Sequence, residues 1–104
     1  MISVQQSEYV DDYKIYLTFN NGKRGVANLK ETIFNDSRPI FAQLRDLNTF
    51  KQFKLDHGTI TWLDELDLAP EYLFFVTFKK EDEFQKQFES WGYKSKLHIA
   101  EQSE

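Results

Sequence analysis

The sequence predicts an α+β domain: a small antiparallel meander with hairpins, several short helices, and a C-terminal strand-helix-strand extension. Three observations carry this. Tyr13, Ile15, Leu17 and Phe19 alternate with Lys14, Tyr16 and Thr18, the period of a strand with one buried face. From Pro39 to Phe53 the apolar residues Ile40, Phe41, Leu44, Leu47, Phe50 and Phe53 recur every three to four positions, the period of an amphipathic helix. Asn20-Asn21-Gly22 and Asp56-His57-Gly58 are turn-forming clusters that bound the apolar runs.

Taken in order, Ile2, Val4 and Val10 suggest a first strand, joined through Asp11-Asp12 to the Tyr13–Phe19 strand. Asn21 and Gly22 both tolerate positive φ, so a two-residue type I′ turn is expected there, returning the chain through Arg24 to Asn28 with Val26 opposite Leu17 and Arg24 opposite Phe19. The Pro39–Phe53 region reads as one or two short helices, the second capped by Asp46 or Asn48. A second, shorter hairpin turns at Gly58 and continues through the β-branched and aromatic run Thr59-Ile60-Thr61-Trp62, which places Trp62 in the core. Pro70 suits the first position of a helical turn, where its missing N–H is no loss, and Glu71 suits the same end electrostatically. Phe74 to Phe78 reads as a buried strand, Glu81 to Trp91 as a helix stopped by Gly92, and Leu97 with Ile99 as a last edge strand.

The chain's 104 residues fit one domain, and 40% hydrophobic residues, including ten Phe, supply a core without disulfides or metal. With no Cys, thiolate chemistry and a zinc ribbon are excluded, and a cytoplasmic location is expected. The first residues lack the basic start and apolar stretch of a signal peptide, and the longest apolar run, Leu73 to Phe78, is too short to span a bilayer. The net charge of -4 is local: residues 1–55 hold eight Lys/Arg against six acids, whereas Asp56 to Glu71 holds five acids and no Lys or Arg. Direct nucleic-acid binding is therefore not expected, and the basic residues Lys14, Lys23, Arg24, Lys30, Arg38 and Arg45 form no stripe.

Five carboxylates in one segment raise a metal or acid/base reading, but the alternation of Asp64, Glu65 and Asp67 with Leu66 and Leu68 places the acids outward in a solvated turn, with capping the economical use of Asp67 and Glu71. His57 and His98 have no His, Cys or Ser at a spacing that builds a ligand set or a triad. Glycines 22, 25, 58 and 92 are isolated, each read as punctuation, and no phosphate loop or other cofactor motif exists, so neither a cofactor nor an enzyme activity is expected.

The succession Asp12-Tyr13, Leu17-Thr18-Phe19-Asn20-Asn21-Gly22, Phe41 with Leu44, Gly58-Thr59-Ile60-Thr61-Trp62 and Asp67-Leu68-Ala69-Pro70-Glu71-Tyr72-Leu73 resembles the bacterial domain of unknown function 2442 family. The resemblance covers residues 1–75, leaving 76–104 as an elaboration of a single domain 1–104. The chain departs from the family pattern by carrying Leu63-Asp64-Glu65-Leu66 where many members have a proline- or asparagine-containing turn. The resemblance implies a small α+β domain, often encoded beside another small protein in arrangements like toxin and antitoxin pairs; it brings no catalytic residues. The expectation is a protein-interaction module of antitoxin or regulatory type that meets a small basic partner through Asp64, Glu65, Asp67 and Glu71, with self-association left open. The alternative is a small-molecule-sensing domain with Tyr72 and Trp62 in an aromatic pocket.

Overall fold

The computed structural model describes residues 1–93. Strands β1 (Val4–Tyr9), β2 (Lys14–Phe19) and β3 (Arg24–Asn28) form an antiparallel meander in chain order. Its inner face buries Val4, Ile15, Leu17, Phe19 and Ala27, while Glu8, Tyr16 and Val26 form a cross-strand row on the outer face.

The β2–β3 register differs by one residue from the expected one. The carbonyl of Phe19 accepts from Gly22 N–H at 3.0 Å, and Phe19 N–H donates to the Lys23 carbonyl at 2.9 Å. Of the loop residues Asn20, Asn21 and Gly22, only Gly22 has positive φ, at 84°. This is a three-residue loop, a type I turn followed by a glycine bulge, not a two-residue type I′ turn. Val26 accordingly pairs with Tyr16, Arg24 with Thr18, and Gly25 with Leu17. The slip sends Val26 outward and turns Gly25 and Ala27 toward the core, where a helix needs room.

A short helix that the periodicity did not announce, α1 (Lys30–Phe34), follows β3 directly and buries Ile33. Helices α2 (Pro39–Leu44) and α3 (Leu47–Phe50) come next, and the Asp46 carboxylate caps α3 through Thr49 N–H at 3.3 Å. The second sheet is β4 (Lys54–Asp56), β5 (Thr59–Trp62) and β6 (Leu66–Asp67). Here the type I′ signature does occur: the β4–β5 turn has φ of 52° at His57 and 76° at Gly58. The two sheets meet where Val4 N–H donates to the Gly58 carbonyl at 2.8 Å.

Phe74 to Phe78 is helical, which corrects the expected strand. Pro70 opens α4 (Pro70–Phe78), and the helix runs through the whole apolar segment. A continuous apolar run has no period to separate a helix buried on two sides from a buried strand, and tertiary burial overrides the β preference of its aromatic and branched residues. One side of α4 lies on β3, where a Cβ added to Gly25 would stand 2.7 Å from Thr77 Cγ2. Gly25 is therefore a close-approach residue and not punctuation. The other side meets the residues after α4, a 3-10 turn (Asp82–Phe84) and α5 (Gln85–Ser90), in an aromatic cluster: Phe74 lies 5.0 Å from Phe84, 6.1 Å from Phe88 and 6.1 Å from Trp91, ring centroid to centroid. Gly92 N–H bonds the Glu89 carbonyl and Tyr93 N–H the Phe88 carbonyl, the paired bonds that end a helix at a left-handed residue, with Gly92 at φ 88°. The helix expected at Glu81–Trp91 is thus present in shorter form. The edge strand expected at Leu97 and Ile99, and His98, lie outside the described residues. Among the described residues no helix is long and apolar enough to cross a membrane.

Candidate interaction site

Sheet pairing in the second hairpin decides where the acidic side chains go. Trp62 pairs with Leu66, and Glu65 N–H closes the intervening turn on the Trp62 carbonyl at 3.0 Å. Inside that turn Leu63 and Asp64 have φ of 57° and 53°, a left-handed conformation that β-carbons resist, at a cost of about 1–2 kcal/mol for a residue such as leucine. The tip so formed leaves Leu63 43% exposed. Behind it Trp62 is 1% exposed and donates its indole N–H to the Phe50 carbonyl at 2.9 Å, which anchors the hairpin to the end of α3. Thr59 Oγ1 ties the same hairpin to the Leu68 carbonyl.

Asp64, Glu65 and Asp67 surround the tip and, with Asp56, His57, Thr61 and Leu66, line a shallow depression of about 330 Å³. His57 Nδ1 lies 3.1 Å from the Asp56 carboxylate. Among the described residues Asp64, Glu65 and Asp67 have no ion-pair or hydrogen-bond partner for their side chains. Nor do the described residues hold any group of three His, Cys, Asp or Glu placed to bind a metal ion.

Glu71 does not join this rim, contrary to the expectation. It sits in the first turn of α4, half-buried, in a separate depression with Met1, Ile2, Asn20, Asn21, Gln87 and Trp91. Its charge is felt by Tyr93, whose phenol is pushed above its ordinary range first by burial and then by Glu71. Asp67 caps no helix either: the residue before α4 is Ala69, and no side chain accepts from that end. Adjacency in the chain joined Glu71 to the acidic segment; the change from strand to helix between Asp67 and Pro70 turns it away.

The residues expected to support the fold take definite places. Asn21 Oδ1 accepts from Lys23 N–H at 3.0 Å within the first hairpin. Gly58 packs beside Ser3, Pro70 starts α4, and Tyr72 OH shares a 2.6 Å hydrogen bond with Thr32 Oγ1 of α1. Tyr72 also lines a cleft of about 560 Å³ with Phe41, Phe75 and Val76. Trp62 is buried elsewhere, so the pairing of Tyr72 and Trp62 in one pocket is not what the structure has. Across the cleft Arg38 clamps Asp36 at 2.9 and 2.7 Å, and its hydrogen bonds hold that carboxyl down at about 2. Leu63 was not singled out by sequence reasoning as an exposed tip residue, because its left-handed backbone is a property of conformation.

A family model described as "Protein of unknown function (DUF2442)" matches residues 4–75. No curated protein matches the chain. Among solved structures, a crystal structure of a "Putative DNA Binding Protein" from Nitrosomonas europaea ATCC 19718 is similar with a TM-score of 0.67 and 12% identity, over 90% of this chain and 63% of that one. This chain thus spans less than two thirds of that protein, and at such identity the likeness is one of fold.

Proposed function

The chain belongs to the DUF2442 family of proteins of unknown function, and on that premise we propose that it is a non-enzymatic protein-interaction module, of antitoxin or regulatory type, whose acidic hairpin tip receives a small basic protein. The carrying observation is the combination at one loop of an exposed leucine, a strained backbone, and carboxylates without internal partners. Strain kept on an exposed loop fits a conformation held ready for a partner. Unpaired acids fit steering: attraction to a basic surface speeds encounter and is screened by salt over about 8 Å at physiological ionic strength. The test is association of the chain with the product of the neighbouring gene, wild type against an Asp64→Asn, Glu65→Gln double variant. Slower association at low salt with unchanged thermal stability is expected. Equal association rates would remove the tip as the steering surface, and no binding by the wild type would remove the pairing.

A second reading, a small-molecule-sensing domain, is favoured by the Tyr72 cleft, whose aromatic wall and Arg38–Asp36 rim offer an apolar floor with a few polar groups. A ligand that shifts Thr32 and Tyr72 resonances supports it. DNA, suggested by the name of the Nitrosomonas europaea protein, is disfavoured here because Lys14, Lys23, Lys30, Arg38 and Lys79 each lie within 4.0 Å of a carboxylate of this chain.

A further inference from the structure

Among the described residues strand β3 has one neighbour, β2, and its other edge pairs with nothing in the sheet. The bonds that bracket it fix which backbone groups that edge presents. Phe19 N–H reaches the Lys23 carbonyl and Leu29 N–H reaches the Tyr13 carbonyl, so residues 23 and 29 face β2. Because antiparallel bonding alternates, 25 and 27 face β2 as well, and the N–H and C=O of Arg24, Val26 and Asn28 point away from it. Beside this edge lies a groove of about 570 Å³ lined by Val26 and Asn28, by Lys30 and Glu31, and by Thr77 and Lys80 among others. The side chains of Val26 and Asn28 belong to the outer face, whereas Thr77 belongs to the helix on the inner face. A space touching both runs along the edge itself, where a further strand would lie.

The other edge of the meander is guarded. β1 carries a register irregularity between Val4 and Gln6, and the β4–β5 turn bonds to Val4. β3 has no bulge within it, no proline, and no inward charge, the devices that blunt an exposed edge. Along it Val26 is 41% exposed and its partner Tyr16 is 37% exposed, an apolar pair at the margin of a solvated face. The charge beside it is mixed with an excess of cations: Lys30 and Lys79 are paired with Asp12 and Glu31, Glu81 also lines the groove, and Arg24 and Lys80 have no carboxylate within 4.0 Å among the described residues.

We propose that the β3 edge binds an extended acidic peptide segment of a partner protein as a fourth strand, with an apolar side chain beside Val26 and carboxylates toward Arg24 and Lys80. Main-chain bonds to Arg24, Val26 and Asn28 supply affinity, and the flanking cations select acidic over basic segments. A strand matching Arg24–Asn28 is about 17 Å long. This inference stands apart from the acidic hairpin tip: the two surfaces attract opposite charges.

The test uses the full chain and an acetylated, amidated peptide Glu-Glu-Val-Thr-Val-Glu-Glu, with amide hydrogen exchange followed residue by residue. At saturating peptide, exchange at Arg24, Val26 and Asn28 is expected to slow by about tenfold or more, with no comparable change at Gly25 and Ala27. Val26→Pro deletes an outward N–H without touching the β2 ladder, and is expected to weaken binding by about tenfold. The double variant Arg24→Gln, Lys80→Gln leaves the backbone alone and is expected to weaken binding several-fold at low salt, so the proposal stays testable if the proline variant does not fold. Unchanged exchange at the three outward amides would overturn the proposal, as would equal binding of the same peptide with lysine in place of glutamate. Protection of those amides that rises with protein concentration alone, with a dimer mass in sedimentation, would also overturn it by placing a second copy on the edge.

Discussion

Replacing Gly25 by alanine tests the packing of α4 on the meander. The new methyl carbon would stand 2.7 Å from Thr77 Cγ2, 3.3 Å from Phe78 Cε1 and 3.6 Å from Phe78 Cζ. Carbon atoms rest at about 3.5–4.0 Å, so the Thr77 contact is short by roughly 1 Å. Thr77 cannot turn aside freely: its hydroxyl donates to the Leu73 carbonyl at 2.7 Å, and a change of rotamer gives up that bond, about 0.5–1.5 kcal/mol. Phe78 is held as well, 4.6 Å from Phe74 and 5.3 Å from Phe84 between ring centroids. The remaining route is a shift of α4 off the strand, and overpacking of this kind costs about 1–3 kcal/mol. Alanine recovers about 0.4–1 kcal/mol by restricting the unfolded chain. The net expectation is a loss of roughly 0.5–2 kcal/mol, read by urea denaturation followed through tryptophan fluorescence. Thr77→Ser removes the offending methyl and keeps the hydroxyl, so Gly25→Ala should cost less in a Thr77→Ser background than alone. A midpoint unchanged or raised by Gly25→Ala, or strict additivity in the double variant, would refute the close-approach argument.

Further outcomes follow from the turns and from one carboxylate. Gly22→Val forces a branched residue into φ 84° and is expected to destabilise by about 1–3 kcal/mol in the same assay. Leu63→Asn relieves the left-handed strain at the acidic tip, so stability should rise by up to about 1 kcal/mol while affinity for a basic partner falls, measured by denaturation and by titration calorimetry. Asp36 should titrate at about 2 by carbon-detected NMR and move up toward the ordinary carboxyl range in Arg38→Gln. Since its folded pKa is depressed, the pair's contribution is present above the ordinary carboxyl pKa of 3.8 and is lost as pH falls through about 2.

Hairpins were legible in the chain because Ile15, Leu17 and Phe19 alternate with polar neighbours, and both hairpins sit where alternation and turn residues agree. The register of the first was not. Asn20-Asn21-Gly22 satisfies a two-residue and a three-residue loop equally, and the two-residue choice set Val26 opposite Leu17; nothing in β3 announces that its core positions are the small ones, Gly25 and Ala27. Smallness there is a demand of α4, a long-range fact. The α4 error has the same root: a segment buried on both sides shows composition without period. Of the candidate rim, Asp64, Glu65 and Asp67 gather at one loop while Glu71 separates, since sequence distance says nothing about the bend at Pro70. The backbone strain at Leu63 and the outward amides of β3 are properties of conformation, with no residue type that signals them.

The family match ends at Phe75, in the middle of α4, whereas the aromatic cluster that covers the helix continues through Trp91 and Tyr93, the latter stacked 4.9 Å from Phe75. The border of the shared pattern is therefore not a border of cooperativity. Losing α5 uncovers Phe74, which also packs on Phe19 of the meander with centroids 5.0 Å apart, and Phe78 bridges the same Phe19, at 5.9 Å, to Phe84, at 5.3 Å, so fraying of the late segment reaches the sheet through two rings. Amide protection in β2 and in α5 should thus fall together under mild denaturant, as one unit of unfolding that straddles the family limit.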